Sequence, residues 1–301
     1  MTHRNRRLAV ALAAAGLALA IGVASAFGAL GVQDTAFGTG ALNSENGGNN
    51  NSAFGFRALW SNTTGGANTA VGVSALDANT TSGQSTAVGY YALESNNGAN
   101  NTAVGAQALR ENTSAAGNAA FGALAADSIT TGPNNVAIGS FALGAVTTGQ
   151  SNTAVGSSAL LGTLGGNNTA VGQNAGSQIS TGTNNTFLGQ GADATTGSLT
   201  SATAVGSGAV VSQSSSLVLG ATGVKVGIKT SSPRSLLQLG TGATSAWGDY
   251  LQIPLVTNTD KTPPAADCND TTLVGRVVAQ SSNGKKAVIW LCTQLGIWKK
   301  V

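Results

Sequence analysis

Apolar and polar residues alternate in one short phrase that recurs along the middle of the chain. The phrase is Asn-Thr-Ala-Val-Gly at 101–105, 152–156 and 168–172, and looser copies run from about Asp34 to Gly223. Successive phrase glycines lie 16 or 17 residues apart, at Gly38, Gly55, Gly72, Gly89, Gly105, Gly122, Gly139, Gly156, Gly172, Gly189 and Gly206. Helix pairs and propeller blades need about 33 to 50 residues, whereas this period fits one coil of a β-solenoid. We therefore predict an all-β solenoid, or β-roll, of about eleven coils of 16–17 residues over residues 34–223.

Two apolar columns follow from stacking these phrases. The residue before each glycine is always apolar, and we predict that this column forms the inner core, including Val71, Val88, Val104, Ile138, Val155 and Val171. The residue before it is alanine in ten of eleven phrases, and strand alternation turns it to the opposite face. That face packs against either the other wall of the roll or a neighbouring subunit. The candidate oligomer interface is therefore Ala70, Ala87, Ala103, Ala137, Ala154 and Ala170.

The segments between phrases predict a second strand and a polar ladder. An Ala-Leu pair follows most phrase glycines by three and four residues, and we predict that it starts a second short strand. Asparagine begins eight of the eleven phrases. Stacked asparagines are expected to form an amide ladder with a structural role.

The first 26 residues have the pattern of a secretory signal peptide. Three arginines precede an apolar, uncharged run over 8–23, and Ala24-Ser25-Ala26 has the small-x-small form of a cleavage site. A retained anchor helix is the alternative, although the run is shorter than the roughly 20 residues of a spanning helix. We expect cleavage after Ala26, secretion or display at the cell surface, and no transmembrane anchor in the mature chain.

Removal of the signal leaves a chain with no formal net charge. The 14 lysines and arginines include Arg4, Arg6 and Arg7, so 11 bases face 11 acids after Ala26. Residues 27–223 hold seven acids and two arginines, whereas residues 224–301 hold nine bases and four acids. Because the excess of basic residues lies in the signal segment, the basic pI of the full sequence does not indicate a nucleic-acid partner.

Histidine chemistry is not expected in the secreted protein, because the one histidine is His3. We predict no catalytic, cofactor-binding or metal-binding residues, no cofactor, and no enzymatic activity. Carboxylate-pair hydrolysis is the alternative, since Asp77 and Glu94 share one repeat position in adjacent coils. Solvated surface acids are the simpler interpretation of that pair.

The sequence beyond the repeats indicates a segment that caps the solenoid, followed by a small β module. Residues 224–264 are expected to hold a capping strand and a proline-marked linker. Residues 265–301 predict strands at 273–280, 287–293 and 297–301, with a turn at Ser282-Asn283-Gly284. Because Cys268 and Cys292 are the only cysteines of an exported chain, we predict a disulfide between them.

The phrase resembles the YadA-like head repeats, or haemagglutinin repeats, of trimeric autotransporter adhesins. Asn135-Val136-Ala137-Ile138-Gly139 carries the resemblance, which extends over about 34–220. It implies a left-handed parallel β-roll, three chains side by side, and attachment to host matrix or other cells. The coiled-coil stalk and membrane anchor of that family are not recognisable here. Residues 224–233 also resemble a segment found downstream of such repeats, including in phage tail fibres.

Three functional hypotheses follow. The first is an exported structural or adhesin-like shaft, expected to be a homotrimer, with a cell-surface, matrix or glycan ligand. The second is a phage-type receptor-binding fibre, which the signal peptide disfavours. The third is a secreted polysaccharide hydrolase, which the scarcity of acids disfavours. Trp60, Tyr90 and Tyr91 are the aromatic residues that could serve as glycan platforms, with bulky turn filler as the structural alternative.

Overall fold

A computed structural model shows a parallel β-solenoid. It describes residues 33–44, 46–228 and 230–239, together with the backbone of four later strands. The main sheet has twelve strands. They are β1 (Thr35–Phe37), β2 (Ser52–Phe54), β3 (Thr69–Val71), β4 (Thr86–Val88), β5 (Thr102–Val104), β6 (Ala119–Phe121), β7 (Val136–Ile138), β8 (Thr153–Val155), β9 (Thr169–Val171), β10 (Thr186–Leu188), β12 (Thr203–Val205) and β14 (Leu217–Leu219), with β11 (Asp193–Ala194) and β13 (Val210–Val211) in a separate pair.

Each strand of the main sheet pairs in parallel with the equivalent strand of the next coil. Thr69 aligns with Thr86, and Thr86 with Thr102, so the register follows the 17- and 16-residue spacing of the phrases. Twelve stacked strands make eleven turns of the solenoid, as the period predicts. The last turn is shorter, because Thr203 aligns with Leu217.

Hydrogen bonds between coils continue outside the strands. The Leu59 amide donates to the Ala75 carbonyl at 3.0 Å, and the Thr63 amide donates to the Thr80 carbonyl at 2.8 Å. Neighbouring coils are therefore joined along their turns as well as their strands. This pairing satisfies backbone groups that the closed interior would otherwise leave without partners.

The predicted second strand is wrong for most coils. The leucines lie in turns with φ between 47° and 54° at Leu42, Leu59, Leu76, Leu93, Leu109, Leu143 and Leu160. A left-handed backbone is unfavourable for leucine by roughly 1–2 kcal/mol, while full burial of its side chain contributes about 2 kcal/mol. All seven side chains are buried. Among the described residues, a second sheet forms only from β11 and β13.

The burial of the two strand columns is the reverse of the one predicted. The alanines preceding the apolar column are fully buried, including Ala70, Ala87, Ala103, Ala137, Ala154 and Ala170. The column predicted as core faces outward: Val71, Ile138 and Val171 are exposed, and Val88, Val104 and Val155 are partly exposed. The alanine column therefore lies inside its own roll, where it has no surface to offer a second chain.

A narrow interior explains this reversal. Opposite the strand alanines, the turn that follows each phrase glycine buries another alanine, as at Ala58, Ala75 and Ala92. The leucine beside that alanine fills the remaining space. In most coils a methyl group fits inside at the strand, and the larger valine or phenylalanine takes the outward position. The exception is Phe187, which is fully buried at the inward strand position and lies against Gly176, where most coils have the turn leucine.

The phrase glycines allow the backbones of neighbouring coils to approach each other closely. Their φ angles, 121° to 142°, are rarely adopted by residues with side chains. A Cβ at Gly105 would also meet the backbone carbonyl of Gly122 in the next coil. Both the backbone angle and the space therefore require glycine at this corner.

Residues 225–301 form a separate compact unit. In it, β15 (Val226–Ile228) pairs in parallel with β16 (Leu237–Leu239). A four-stranded sheet contains β17 (Leu255–Thr257), β18 (Val277–Ser281), β19 (Val288–Gln294) and β20 (Ile297–Lys300). The antiparallel β18-β19-β20 order matches the three predicted strands, whereas β17 lies in the segment predicted to be a linker.

We expect Gly105→Ala to destabilise the solenoid by at least about 2 kcal/mol, because it combines a strained φ with a clash against Gly122. Urea unfolding followed by circular dichroism measures the change. Gly162→Ala is the matched control, since a Cβ there meets no atom within 4 Å. Equal midpoints for the two variants would contradict the close-approach role.

Ala103→Trp and Val104→Trp test the two faces of one strand. Ala103 is fully buried and Val104 partly exposed, so overpacking affects Ala103→Trp alone. We expect Tm to fall by roughly 10 °C for Ala103→Trp and to stay within a few degrees for Val104→Trp. A larger loss for Val104→Trp would restore the original core assignment.

Candidate functional site

A ladder of buried asparagines links the coils along one corner of the roll. The backbone N–H of the first residue of each phrase donates to the side-chain oxygen of the first residue of the preceding phrase. Ten successive hydrogen bonds of this kind run from Asp34 to Ala202. The side-chain Nδ2 then donates to a turn carbonyl in the following coil, as from Asn135 to Gly149 at 2.8 Å. The predicted ladder is therefore present and joins side chains chiefly to the backbone.

A second, shorter ladder of asparagines, not predicted from the sequence, lies in the turns. Asn62, Asn79, Asn96 and Asn112 stack in consecutive coils, with Nδ2 of Asn79 donating to Oδ1 of Asn62 at 2.9 Å. Ile129 and Val146 take over this position in the next two coils. Nothing donates to the buried Oδ1 of Asn112. The recurrence of asparagine seven residues after four consecutive phrase glycines, from Gly55 to Gly105, is the signal in the sequence.

The outward-facing column of the main sheet forms a continuous apolar row, which we call the outer row. Its members are Phe37, Phe54, Val71, Val88, Val104, Phe121, Ile138, Val155, Val171, Leu188, Val205 and Leu219. Eight of the twelve side chains are exposed, and the other four are partly exposed. The parallel outward column at the first strand position is mostly threonine. Neither column contains a charged residue, so this face combines one apolar row with one mostly hydroxyl-bearing row.

Charged side chains concentrate elsewhere, on the turns of five consecutive coils. Four backbone amides in these turns each donate to a backbone carbonyl of the next coil. The pairs are Ser61 to Asp77, Ala78 to Glu94, Ser95 to Arg110, and Glu111 to Asp127. These bonds align Trp60, Asp77, Glu94, Arg110 and Asp127 as one stacked column. We call the column and its neighbours Arg57, Tyr90, Tyr91, Gln107 and Glu111 the mixed patch.

Two arginines organise the mixed patch. Nη2 of Arg57 donates to Oδ1 of Asp77 at 3.0 Å, while Nε lies 3.0 Å from Oδ2 without hydrogen-bond geometry. The Arg57 guanidinium also lies 5.0 Å from the ring centroid of Trp60, a cation–π contact. Arg110 contacts Glu111 at 2.9 Å and donates to Gln107 Oε1 at 3.1 Å.

Glu94 and Asp127 have no ion pair among the described residues. Desolvation raises the pKa of the Glu94 carboxyl, and the neighbouring Asp77 charge adds to this against the opposing effect of Arg110. Desolvation likewise raises the pKa of Asp127, again opposed by Arg110. The patch thus has two carboxylates whose charge is incompletely compensated.

The residues named for carboxylate-pair hydrolysis, Asp77 and Glu94, lie in the part of the chain that the structure describes. Asp77 and Glu94 do lie in adjacent coils, but Arg57 engages Asp77. No group of three potential metal ligands occurs among the described residues. A shallow groove over the early turns, lined by Gly66, Ala67, Gly83 and Gln84 among others, has no charged lining.

Several predicted features lie outside the described residues. These are the signal segment 1–26, Cys268, and the side chain of Cys292, so the disulfide stays a prediction. Within the described residues, no helix has the length and apolar character needed to span a membrane. A scan against protein-family models gives no match to this chain, and a search of curated proteins finds no significant relative.

We expect Asn135→Ala to lower the stability of the roll by about 2–5 kcal/mol. The change leaves the Asn152 amide and the Gly149 carbonyl buried and without these partners. Thermal and urea unfolding measure the loss. Gln173→Ala removes an exposed amide and serves as the control, with an expected change of a few tenths of a kcal/mol. Equal stabilities would remove the ladder from the energetics of the fold.

Proposed function

We propose that this protein is an exported, adhesin-like structural shaft that assembles as a homotrimer and attaches to cell surfaces or matrix. The outer row carries the proposal. It is an apolar strip about 50 Å long, given the spacing of about 4.8 Å between strands. Monomeric proteins rarely leave so long an apolar patch in water, and its length suits contact with another copy.

The repeat architecture favours an extended surface over a concave reaction centre. Each coil contacts chiefly its neighbours, so the solenoid forms a stiff rod whose side faces repeat every coil. Such a rod suits attachment through many weak contacts distributed along its length. In this function the rod is the mechanical element, and its faces other than the sheet are the contact surface.

The number of copies and several finer features come from the resemblance to YadA-like head repeats. The resemblance implies a left-handed roll and three chains side by side, and cyclic symmetry would bring the same row of each chain to one axis. We include in the proposal a cleaved signal peptide, secretion or surface display, and a disulfide-linked C-terminal module. The interface shifts from the predicted alanine column to the outer row.

Light scattering on the chain beginning at Phe27 tests the assembly. We expect a trimer, and we expect the double variant Ile138→Asp/Val171→Asp to weaken association at least about 100-fold, because unpaired carboxylates would be buried. Circular dichroism should show an intact roll, since both side chains are exposed in the single chain. The double variant Thr113→Asp/Thr131→Asp, at two exposed turn positions, is the charge-matched control. A monomeric wild type, or a trimeric Ile138→Asp/Val171→Asp variant, would refute this interface.

Attachment is measured separately with beads coated with the wild-type trimer. We expect the beads to bind cultured cells or immobilised matrix proteins above the level of albumin-coated beads. In solution, without beads, the monomeric double variant should bind the same surfaces more weakly than the wild-type trimer, because multivalency is lost. No binding by wild-type beads to either surface would refute the attachment function while leaving the assembly intact.

A further inference from the structure

The mixed patch interrupts an otherwise charge-poor rod. Eight charged residues lie among the described positions between 33 and 223, and six of them belong to the patch: Arg57, Asp77, Glu94, Arg110, Glu111 and Asp127. The remaining two are Asp34 and Asp193. Later coils carry Leu161 and Ser177 at the same coil position. The fold therefore does not require charged residues there.

The patch offers hydrogen-bond donors and acceptors side by side. Arg110 is held by Glu111 and Gln107, which limits the positions of its N–H groups. Glu94 and Asp127 occupy the coils on either side of Arg110 and have no ion pair among the described residues. A ligand group that both donates and accepts, such as a hydroxyl, matches this alternation better than a purely cationic group.

Aromatic surface adjoins these polar groups. Tyr90 is 49% exposed, and its ring lies 4.1 Å from the Tyr91 ring, centroid to centroid, in an edge-on arrangement at 70°. Trp60, two coils away, is partly exposed and contacts the Arg57 guanidinium. Aromatic faces of this kind pack against apolar C–H surfaces while leaving neighbouring polar groups free to bind.

We propose that the mixed patch binds a neutral glycan chain lying along the solenoid axis. Tyr90 would pack against the C–H face of one sugar ring, while Glu94, Arg110 and Asp127 bind hydroxyl groups of that sugar and its neighbours. The rise of about 4.8 Å per coil is close to the length of one pyranose unit in an extended chain. Successive coils therefore meet successive sugars. This inference rests on the attachment function and names its ligand class.

An array of immobilised glycans, probed with the wild-type protein, tests the proposal. The array holds neutral polysaccharides such as mannan, dextran and cellulose, an acidic polysaccharide, and poly-lysine as a cationic probe. We expect binding to at least one neutral glycan that changes little between 50 and 500 mM NaCl. Salt-sensitive binding to poly-lysine alone would assign the patch to basic peptides and overturn the proposal, as would no binding at all.

Two substitutions at the same coil position locate the binding. Tyr90→Ala should weaken glycan binding about tenfold through loss of the aromatic contact. Ser157→Ala lies at the equivalent exposed position two coils beyond the patch and should leave binding unchanged. Unfolding curves identical to wild type confirm that Tyr90→Ala folds. Equal glycan affinity for the two variants would remove the patch from binding.

The failure of this inference is distinguishable from failure of the attachment function. Bead attachment that survives enzymatic removal of glycans from the target cells would refute the glycan ligand and preserve attachment. Glycan binding on the array without bead attachment would preserve the patch and refute attachment. Loss of bead attachment in both Tyr90→Ala and glycan-stripped cells supports the two together.

Discussion

Hydrogen bonding between coils is the constraint on which this structure depends. Amides bond to the next coil in the strands, as between β3 and β4, and in the turns, as from Leu59 to Ala75. Bonds of this kind hold only when neighbouring coils follow nearly the same backbone path. That requirement produces the 16–17-residue period and places glycine where the corners approach most closely.

The close spacing also dictates what fills the interior. Alanine methyl groups from the strand wall and the turn wall, with leucines in left-handed turns, leave little room for larger groups. Most buried polar side chains among the described residues are asparagines in ladders, and those of the main ladder bond to the backbone of neighbouring coils. The second ladder changes from asparagine to isoleucine between Asn112 and Ile129, because both side chains fill the same buried position. Isoleucine has no amide to donate, so the Oδ1 of Asn112 has no hydrogen-bond partner.

Side chains at outward positions are not limited by the narrow interior. Apolar and charged residues are distributed unevenly among these positions. The sheet face carries the apolar outer row along its whole length, whereas the turns of five coils hold six of the eight charged residues described on the roll. The two proposals divide the surface accordingly, with self-association on the outer row and glycan binding on the mixed patch. Because the two surfaces occupy different coil positions, substitutions in one are not expected to disturb the other.

Much of the architecture was predictable from the chain alone, because a repeated phrase with one glycine per 16–17 residues specifies stacked coils. The in-register parallel sheet, the ladder through Asn135 and the strand order near the C-terminus follow from period, asparagine spacing and turn residues. The ladder at Asn62 also has a signal in the sequence, asparagine at one repeat position in four consecutive coils. The left-handed φ of the leucines was not predictable, since Ala-Leu in a short segment is compatible with a strand or a turn.

The sequence by itself determined that alanine and valine lie on opposite faces of each strand, since successive side chains alternate. Only the tertiary structure decided which face is inside. Hydrophobicity favours valine in the interior, but the second wall of the coil lies close enough to admit only the methyl group of Ala103 beside its neighbours. Steric fit between the two walls therefore outweighed side-chain hydrophobicity, and it placed Val104 and the rest of the outer row on the surface.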